Sequence, residues 1–155
     1  MEILDIVAYF VKNSETELSK GRLNKLVYLA DWKCALDNKK QISNIDWKFN
    51  HYGPYVKDIE NYIETDPLNR FKIIHQETSY FGHSKYTIKL VKDLDFVAPD
   101  DSEKTILDII LNLTDKLNWT DFINLVYSTY PIKASERGEV LNLVALAEQY
   151  QSKKR

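Results

Sequence analysis

The sequence has few of the residues that cross-link or interrupt a chain. It contains one cysteine, Cys34, together with four glycines and four prolines in 155 residues. A single cysteine excludes an intramolecular disulfide, and the scattered glycines and prolines indicate the ends of helices and strands, not a linker between domains. Because a chain of this length buries about two-thirds of its surface on folding, we expect one domain that spans residues 1–155.

An excess of positive charge is also missing. The chain has 21 Lys and Arg residues against 23 Asp and Glu residues, a formal net charge of −2, which excludes a domain held to nucleic acid by bulk charge alone. The N-terminus carries Glu2 and Asp5 where a signal peptide has basic residues. Its longest apolar run, residues 6–11, is too short to cross a bilayer. These features predict a cytoplasmic protein with no membrane contact.

Motifs for catalysis and metal binding are equally scarce. The three histidines are His51, His75 and His83, and no His-Glu-x-x-His, Cys-x-x-Cys or closely spaced carboxylate cluster accompanies them. The glycines stand singly at positions 21, 53, 82 and 138, so the sequence has no glycine-rich phosphate loop. We therefore expect a protein that is not an enzyme and that holds no metal ion and no cofactor.

The spacing of apolar residues predicts a mainly helical α+β fold, with about six helices and one small β-hairpin or sheet. Helices are predicted at residues 3–13, 20–37, 54–66, 103–116, 120–130 and 136–150. Two apolar stripes run along the second helix, which places it at the centre of the core with Ser19 as its N-cap. Residues 71–77 and 84–91 alternate in polarity on either side of Gly82, and this pattern predicts the hairpin.

Local signals predict where the other helices begin and end. Pro54 suits the first position of the third helix, with Gly53 as its cap. Residues 99–102, followed by Glu103, resemble a capping box that opens the fourth helix. The inward face of that helix is expected to carry Ile106, Ile109, Ile110, Leu113 and Leu117.

The predicted helices at 103–116 and 120–130 also fit the outline of a helix-turn-helix. Residues 120–130, which would form the recognition helix, contain no Lys or Arg, and they include Asp121 and several apolar side chains. This composition is typical of a packed helix and supplies no group for phosphate contacts. We expect no nucleic-acid partner, and we keep a DNA-binding regulator as the alternative function.

Aromatic residues are unusually frequent, with 3 Trp, 10 Tyr and 6 Phe. Four of them, Trp47, Phe49, Tyr52 and Tyr55, surround one loop. The first explanation for any aromatic residue is burial in the core, but Tyr and Trp are also enriched where proteins contact partners. We expect exposed parts of the loop at 45–56 to form an apolar partner-binding surface. Its candidate residues are Trp47, Phe49, Tyr52, Gly53, Pro54 and Tyr55.

Two segments resemble signatures of a known family. Residues 23–30, with Lys25, Leu26 and Tyr28, are similar to the Lys-Leu-x-Tyr helix of the Panacea domain, the SocA-like antitoxin family that also occurs in phage-associated proteins. Residues 47–60 resemble its second signature, in which an aromatic residue and Gly-Pro open a helix. The order and spacing of both segments match, and residues 119–131 resemble the family's late helix more weakly.

The resemblance implies a cytoplasmic bacterial or phage antitoxin that neutralises, by direct contact, a toxin encoded beside it. It supplies no catalytic residue, and it implies that Lys25, Leu26 and Tyr28 maintain the fold. One branch of the family implies a further partner, a protease to which the antitoxin hands the toxin. His51 and Tyr52 before Gly53 depart from many relatives, which leaves the identity of the toxin open. A phage-associated interaction protein without a toxin partner is a further alternative.

Overall fold

Seven helices supply most of the regular secondary structure in the part of the chain that the structure describes. The structure is a computed structural model, and it describes residues 1–77 and 84–154. The helices are α1 (Ile3–Asn13), α2 (Lys20–Asn38), α3 (Asp58–Glu64), α4 (Asp101–Thr114), α5 (Trp119–Ser128), α6 (Tyr130–Ala134) and α7 (Leu143–Lys153). None of these helices combines the length and the apolar character that crossing a bilayer requires.

Six short strands form two antiparallel sheets in the same described residues. The strands are β1 (Leu18–Ser19), β2 (Trp47–Asn50), β3 (Gly53–Pro54), β4 (Phe71–Glu77), β5 (Ser84–Leu90) and β6 (Val140–Leu141). One sheet has the order β1-β5-β4 and the other β3-β2-β6. The α+β class, mainly helical, is confirmed, and so is the hairpin, in which Ile73 lies opposite Ile88. Gly82 and His83 lie outside the described residues.

Helix α2 occupies the centre of the core, as its two apolar stripes predicted. It packs against α1, α4 and α7, and twelve of its residues are buried, Cys34 among them. The helix begins where predicted because the Ser19 hydroxyl accepts a hydrogen bond from the Arg22 backbone N–H at 3.2 Å. Burial on several sides explains why this helix has no single apolar face.

The predicted capping box is confirmed. The Asp100 carboxylate accepts from the Glu103 backbone N–H at 2.8 Å, and the Glu103 carboxylate accepts from the Asp100 N–H at 2.9 Å. The inward face of α4 differs in part from the prediction, because Leu107 and Leu111 are buried whereas Leu113 is 58% exposed. The cap fixes where α4 begins, but packing against α1 and α2 decides which face turns inward.

The third and last helices begin later than predicted. Gly53 and Pro54 do not open a helix, since they pair as a strand with Asn50 and Phe49 of β2, and α3 starts at Asp58. Residues 140–141 pair with β2 as well, which delays α7 to Leu143. These strands are two residues long, too short to produce an alternating pattern in the sequence.

The helix count also differs by one from the prediction. Thr129 has an extended backbone that ends α5, and the chain then starts the short helix α6. Pro131 stands within the first turn of α6, where its missing N–H leaves no hydrogen bond unmade. The pair Tyr130-Pro131 therefore ends one helix, as predicted, and also begins another.

A buried ion pair fixes the segment that leads from β5 to α4. The Arg70 guanidinium donates to the Asp66 carboxylate at 3.0 Å and to the Leu94 and Asp95 carbonyl oxygens at 3.2 and 3.1 Å. It also lies 4.1 Å from the centre of the Phe96 ring. The hydrogen bond from Arg70 holds the pKa of Asp66 below its usual value. Arg70 thus connects the end of α3 to residues 94–96.

We predict that Arg70→Leu lowers the free energy of unfolding by about 3 kcal/mol, because the buried Asp66 carboxylate then has no counter-charge. Urea denaturation measures the change. Lys104→Ala is the matched control, since Lys104 forms an exposed ion pair of the same i,i+4 spacing with Asp108; it should cost less than about 1 kcal/mol. Equal losses in the two variants would contradict the role assigned to Arg70.

Candidate functional site

The two segments that resemble family signatures pack directly against each other. The Asn24 side chain on α2 donates to the Val56 carbonyl at 2.8 Å and accepts from the Val56 N–H at 3.2 Å. One turn further along α2, the Tyr28 ring meets the Trp47 ring edge to face, with 5.6 Å between centroids. Helix α2 therefore holds the loop at 47–56 from both ends.

A buried carboxylate lies at the centre of this contact. Asp31 is fully buried, and it accepts hydrogen bonds from the Trp47 indole N–H at 2.8 Å, the Ser43 N–H at 2.8 Å and the Ser43 hydroxyl at 2.5 Å. The Gln41 amide adds a fourth at 3.2 Å. Burial raises the pKa of Asp31, while the hydrogen bonds from Ser43 and Trp47 act in the opposite direction. Asp31 is not among the site residues predicted from the sequence, although a carboxylate between two apolar stripes is a signal for a buried polar network.

The predicted partner-binding residues differ widely in exposure. Trp47 is 0% exposed, Phe49 is 5% exposed and Tyr52 is 76% exposed. The other three are buried or half-buried: Gly53, Pro54 and Tyr55. Trp47 and Phe49 therefore belong to the core, and Tyr52 is the ring that this loop presents to solvent.

The β2–β3 turn that carries Tyr52 is held in one conformation. Gly53 has a φ of +101°, and a Cβ atom there would lie 3.4 Å from the Tyr127 ring, so both the backbone angle and the close approach favour glycine. The Asn50 side chain donates to the Tyr55 carbonyl at 3.0 Å, and Arg137 donates to the His51 carbonyl at 3.2 Å. These contacts fix the position of the exposed Tyr52.

Lys25, the first residue of the Lys-Leu-x-Tyr signature, is almost completely buried. The residue is 3% exposed, and its ammonium lies 5.9 Å from the centre of the Tyr55 ring. Burial lowers the pKa of Lys25 from 10.5 to about 8. Leu26 and Tyr28, the other signature residues, are 1% and 0% exposed and belong to the core.

A second surface with exposed aromatic rings lies at the start of α2. Trp119 and Tyr86, which are 51% and 39% exposed, line a groove of about 700 Å³. Gly21 is also part of its lining, and a Cβ atom there would lie 3.5 Å from the Trp119 ring. The sequence does not predict this groove, because its residues come from α2, β5 and α5 and meet only in the folded chain.

The described histidines do not form a metal site. His51 and His75 are exposed. The His51 ring meets the Tyr52 ring edge to face, and the His75 ring stacks on the Tyr86 ring. Among residues 1–77 and 84–154, no three His, Cys, Asp or Glu side chains stand close enough together to hold a metal ion.

We predict that Asp31→Asn lowers the free energy of unfolding by about 2–4 kcal/mol, because one amide oxygen cannot serve four buried donors. Asp37→Asn on the same helix is the control. Asp37 is exposed and pairs with Lys33, so its loss should cost less than about 0.5 kcal/mol. Chemical denaturation compares the two, and an Asp31 variant as stable as the control would disprove the central position of this carboxylate.

We predict that Lys25→Met raises the free energy of unfolding at pH 7 by about 1–3 kcal/mol, because it removes a buried charge. The folded pKa, about 8, lies below the unfolded value of 10.5, so the unfolded chain binds the proton more tightly between these values. Wild-type stability relative to Lys25→Met should therefore rise as the pH is raised from 8 to 10.5.

The measurement is thermal or urea unfolding of both proteins across this pH range. Lys33→Met provides the control, since Lys33 is half-exposed and paired with Asp37. A Lys25→Met difference that stays constant with pH would show that the lysine is not destabilised by burial.

The comparisons with known proteins identify the family. A family model described as "Antitoxin SocA-like, Panacea domain" matches residues 23–131, a range that includes both signature segments and α5. Neither the curated proteins nor the solved structures gave a match. Since the matched range covers well over half of the chain, this protein belongs to the SocA-like antitoxin family with a Panacea domain.

Proposed function

We propose that this protein is the antitoxin of a toxin–antitoxin pair and that it neutralises its toxin in the cytoplasm by direct contact, without catalysing a reaction. The observation that carries the proposal is the family match over residues 23–131. The sequence supports the non-catalytic part, because it has none of the nucleophile, acid–base or metal motifs that an enzyme needs.

We assign the toxin contact to the outer face of the β3-β2-β6 sheet and the adjoining turn. Tyr52 projects from this turn, and Val140 on β6 is 70% exposed. Val140 pairs with Lys48 of β2, away from the buried Trp47 and Phe49. Binding through a turn that is already fixed costs little conformational entropy, and an exposed tyrosine on such a turn is suited to dominate an interface.

Two further roles are a protease adaptor, which the family resemblance implies, and a DNA-binding regulator, which is the alternative function. An adaptor role, in which the protein hands the toxin to a protease, rests on the resemblance alone. A DNA-binding regulator would need a basic recognition helix, and α5 contains no Lys or Arg. Binding to the promoter of its own operon in a gel-shift assay at low salt would favour this alternative.

We predict that Tyr52→Ala weakens toxin binding by about tenfold or more without lowering the melting temperature, because the side chain is 76% exposed. The measurement is calorimetric titration with the product of the adjacent reading frame, together with growth rescue on co-expression. Tyr62→Ala is the control, since Tyr62 is a 47% exposed tyrosine on α3; it should bind like the wild type.

Trp119→Ala tests the groove at the start of α2 as the rival contact surface. Full neutralisation by Tyr52→Ala, with loss of binding in Trp119→Ala, would move the interface to that groove. Failure of the wild-type protein to bind or rescue would reject the antitoxin role with this toxin.

A further inference from the structure

Lys25 differs from every other buried charged residue in the described part of the chain. The buried charged residues are Lys25, Asp31, Asp66 and Arg70. Asp31 accepts four hydrogen bonds, and Asp66 and Arg70 form an ion pair. Among residues 1–77 and 84–154, no side chain or backbone group forms a hydrogen bond or an ion pair with the Lys25 ammonium. The fold leaves this one buried charge uncompensated, although buried charges are normally paired.

The Lys25 side chain is not sealed off completely. In the described residues, the hydroxyl of Thr87 is the one fully enclosed side-chain nitrogen or oxygen without a hydrogen-bond partner. Within residues 1–77 and 84–154 the Lys25 ammonium has no partner either, and it is not among the fully enclosed atoms, so a small part of it is open to solvent. The residue as a whole is 3% exposed, so most of this side chain, the ammonium included, is removed from water.

Glu60, the carboxylate that binds the hydroxyl of Tyr55, is already engaged. Tyr55, whose ring lies beside the Lys25 ammonium, donates its hydroxyl proton to Glu60. Glu60 in turn pairs with Lys20 at 3.2 Å. The Glu60 carboxylate therefore already pairs with Lys20 and accepts a hydrogen bond from Tyr55. Tyr55 belongs to the same loop as Tyr52, so this loop connects the uncompensated charge to the turn that we assign to the toxin.

We propose that the Lys25 ammonium is the anchor for a carboxylate of the bound toxin, supplied either by an Asp or Glu side chain or by the C-terminus of the toxin. This inference rests on the proposed antitoxin function. A carboxylate would make charge-assisted hydrogen bonds to the ammonium and would supply the counter-charge that the antitoxin lacks. A phosphate group is less well matched, because Lys20, the next cation along this network, is already paired with Glu60.

The test compares the full-length wild type with Lys25→Met, Lys25→Gln and Lys33→Met. Affinity for the neighbouring gene's toxin is measured by calorimetry, and folding is checked by thermal melting. Both Lys25 variants should bind at least tenfold more weakly while melting no lower than the wild type, and Lys33→Met should bind within twofold of it. The glutamine variant keeps a polar tip, so it separates loss of charge from a change in packing. Wild-type affinity in either folded Lys25 variant overturns the inference but leaves the antitoxin function intact.

A double-mutant cycle then distinguishes the two sources of the carboxylate. Each surface Asp or Glu of the toxin is changed to Asn or Gln, and the C-terminus is converted to a carboxamide. Removal of the carboxylate that binds Lys25 should lower the affinity for the wild-type antitoxin at least fivefold. The same change should leave the affinity for Lys25→Met almost unaltered. Independent effects for every toxin carboxylate would overturn the inference, and a wild type that does not bind the toxin at all would reject both this anchor and the proposed function.

Discussion

The hydrogen bonds to the Asp31 carboxylate hold the candidate surface in place. Asp31 stands on the central helix and binds Ser43 and Trp47, which lie 12 and 16 positions further along the chain. Four donors on one buried carboxylate can offset much of the cost of removing its charge from water. With Trp47 fixed, strand β2 follows, and the short strands β3 and β6 pair on either side of it. The exposed turn at Tyr52 is therefore supported by the core.

Two buried ionisable residues on α2, Asp31 and Lys25, differ in whether the fold supplies them with hydrogen-bond partners. Asp31 is surrounded by donors within its own chain, and its hydrogen bonds hold separate segments of the fold together. Lys25 has no partner in the described residues, and burial lowers its pKa, so we expect it to lower the stability of the free protein. Perturbed ionisable groups of this kind concentrate at functional sites, although structural networks produce them too. A lysine that destabilises the free antitoxin would regain that free energy in a complex that supplies a carboxylate.

Much of the fold could be predicted from the sequence because its signals are local. The helix caps formed by Ser19 and by Asp100 with Glu103 involve residues within one helical turn, so they can be predicted from the sequence. The strands at 53–54 and 140–141 are not, since pairing between distant segments creates them. For the candidate site, the sequence indicated the loop and its aromatic residues but could not separate the buried Trp47 from the exposed Tyr52. Which charged residues are compensated also depends on contacts across the fold.

The central claim is that the toxin contacts the turn that carries Tyr52, together with the part of the same loop that packs against α2. Hydrogen–deuterium exchange of the full-length protein, alone and in complex with the toxin, tests this most directly. We expect protection on binding at residues 50–56 and 137–141, with little change in α1. Protection confined to the groove formed by Gly21, Tyr86 and Trp119 would contradict the account.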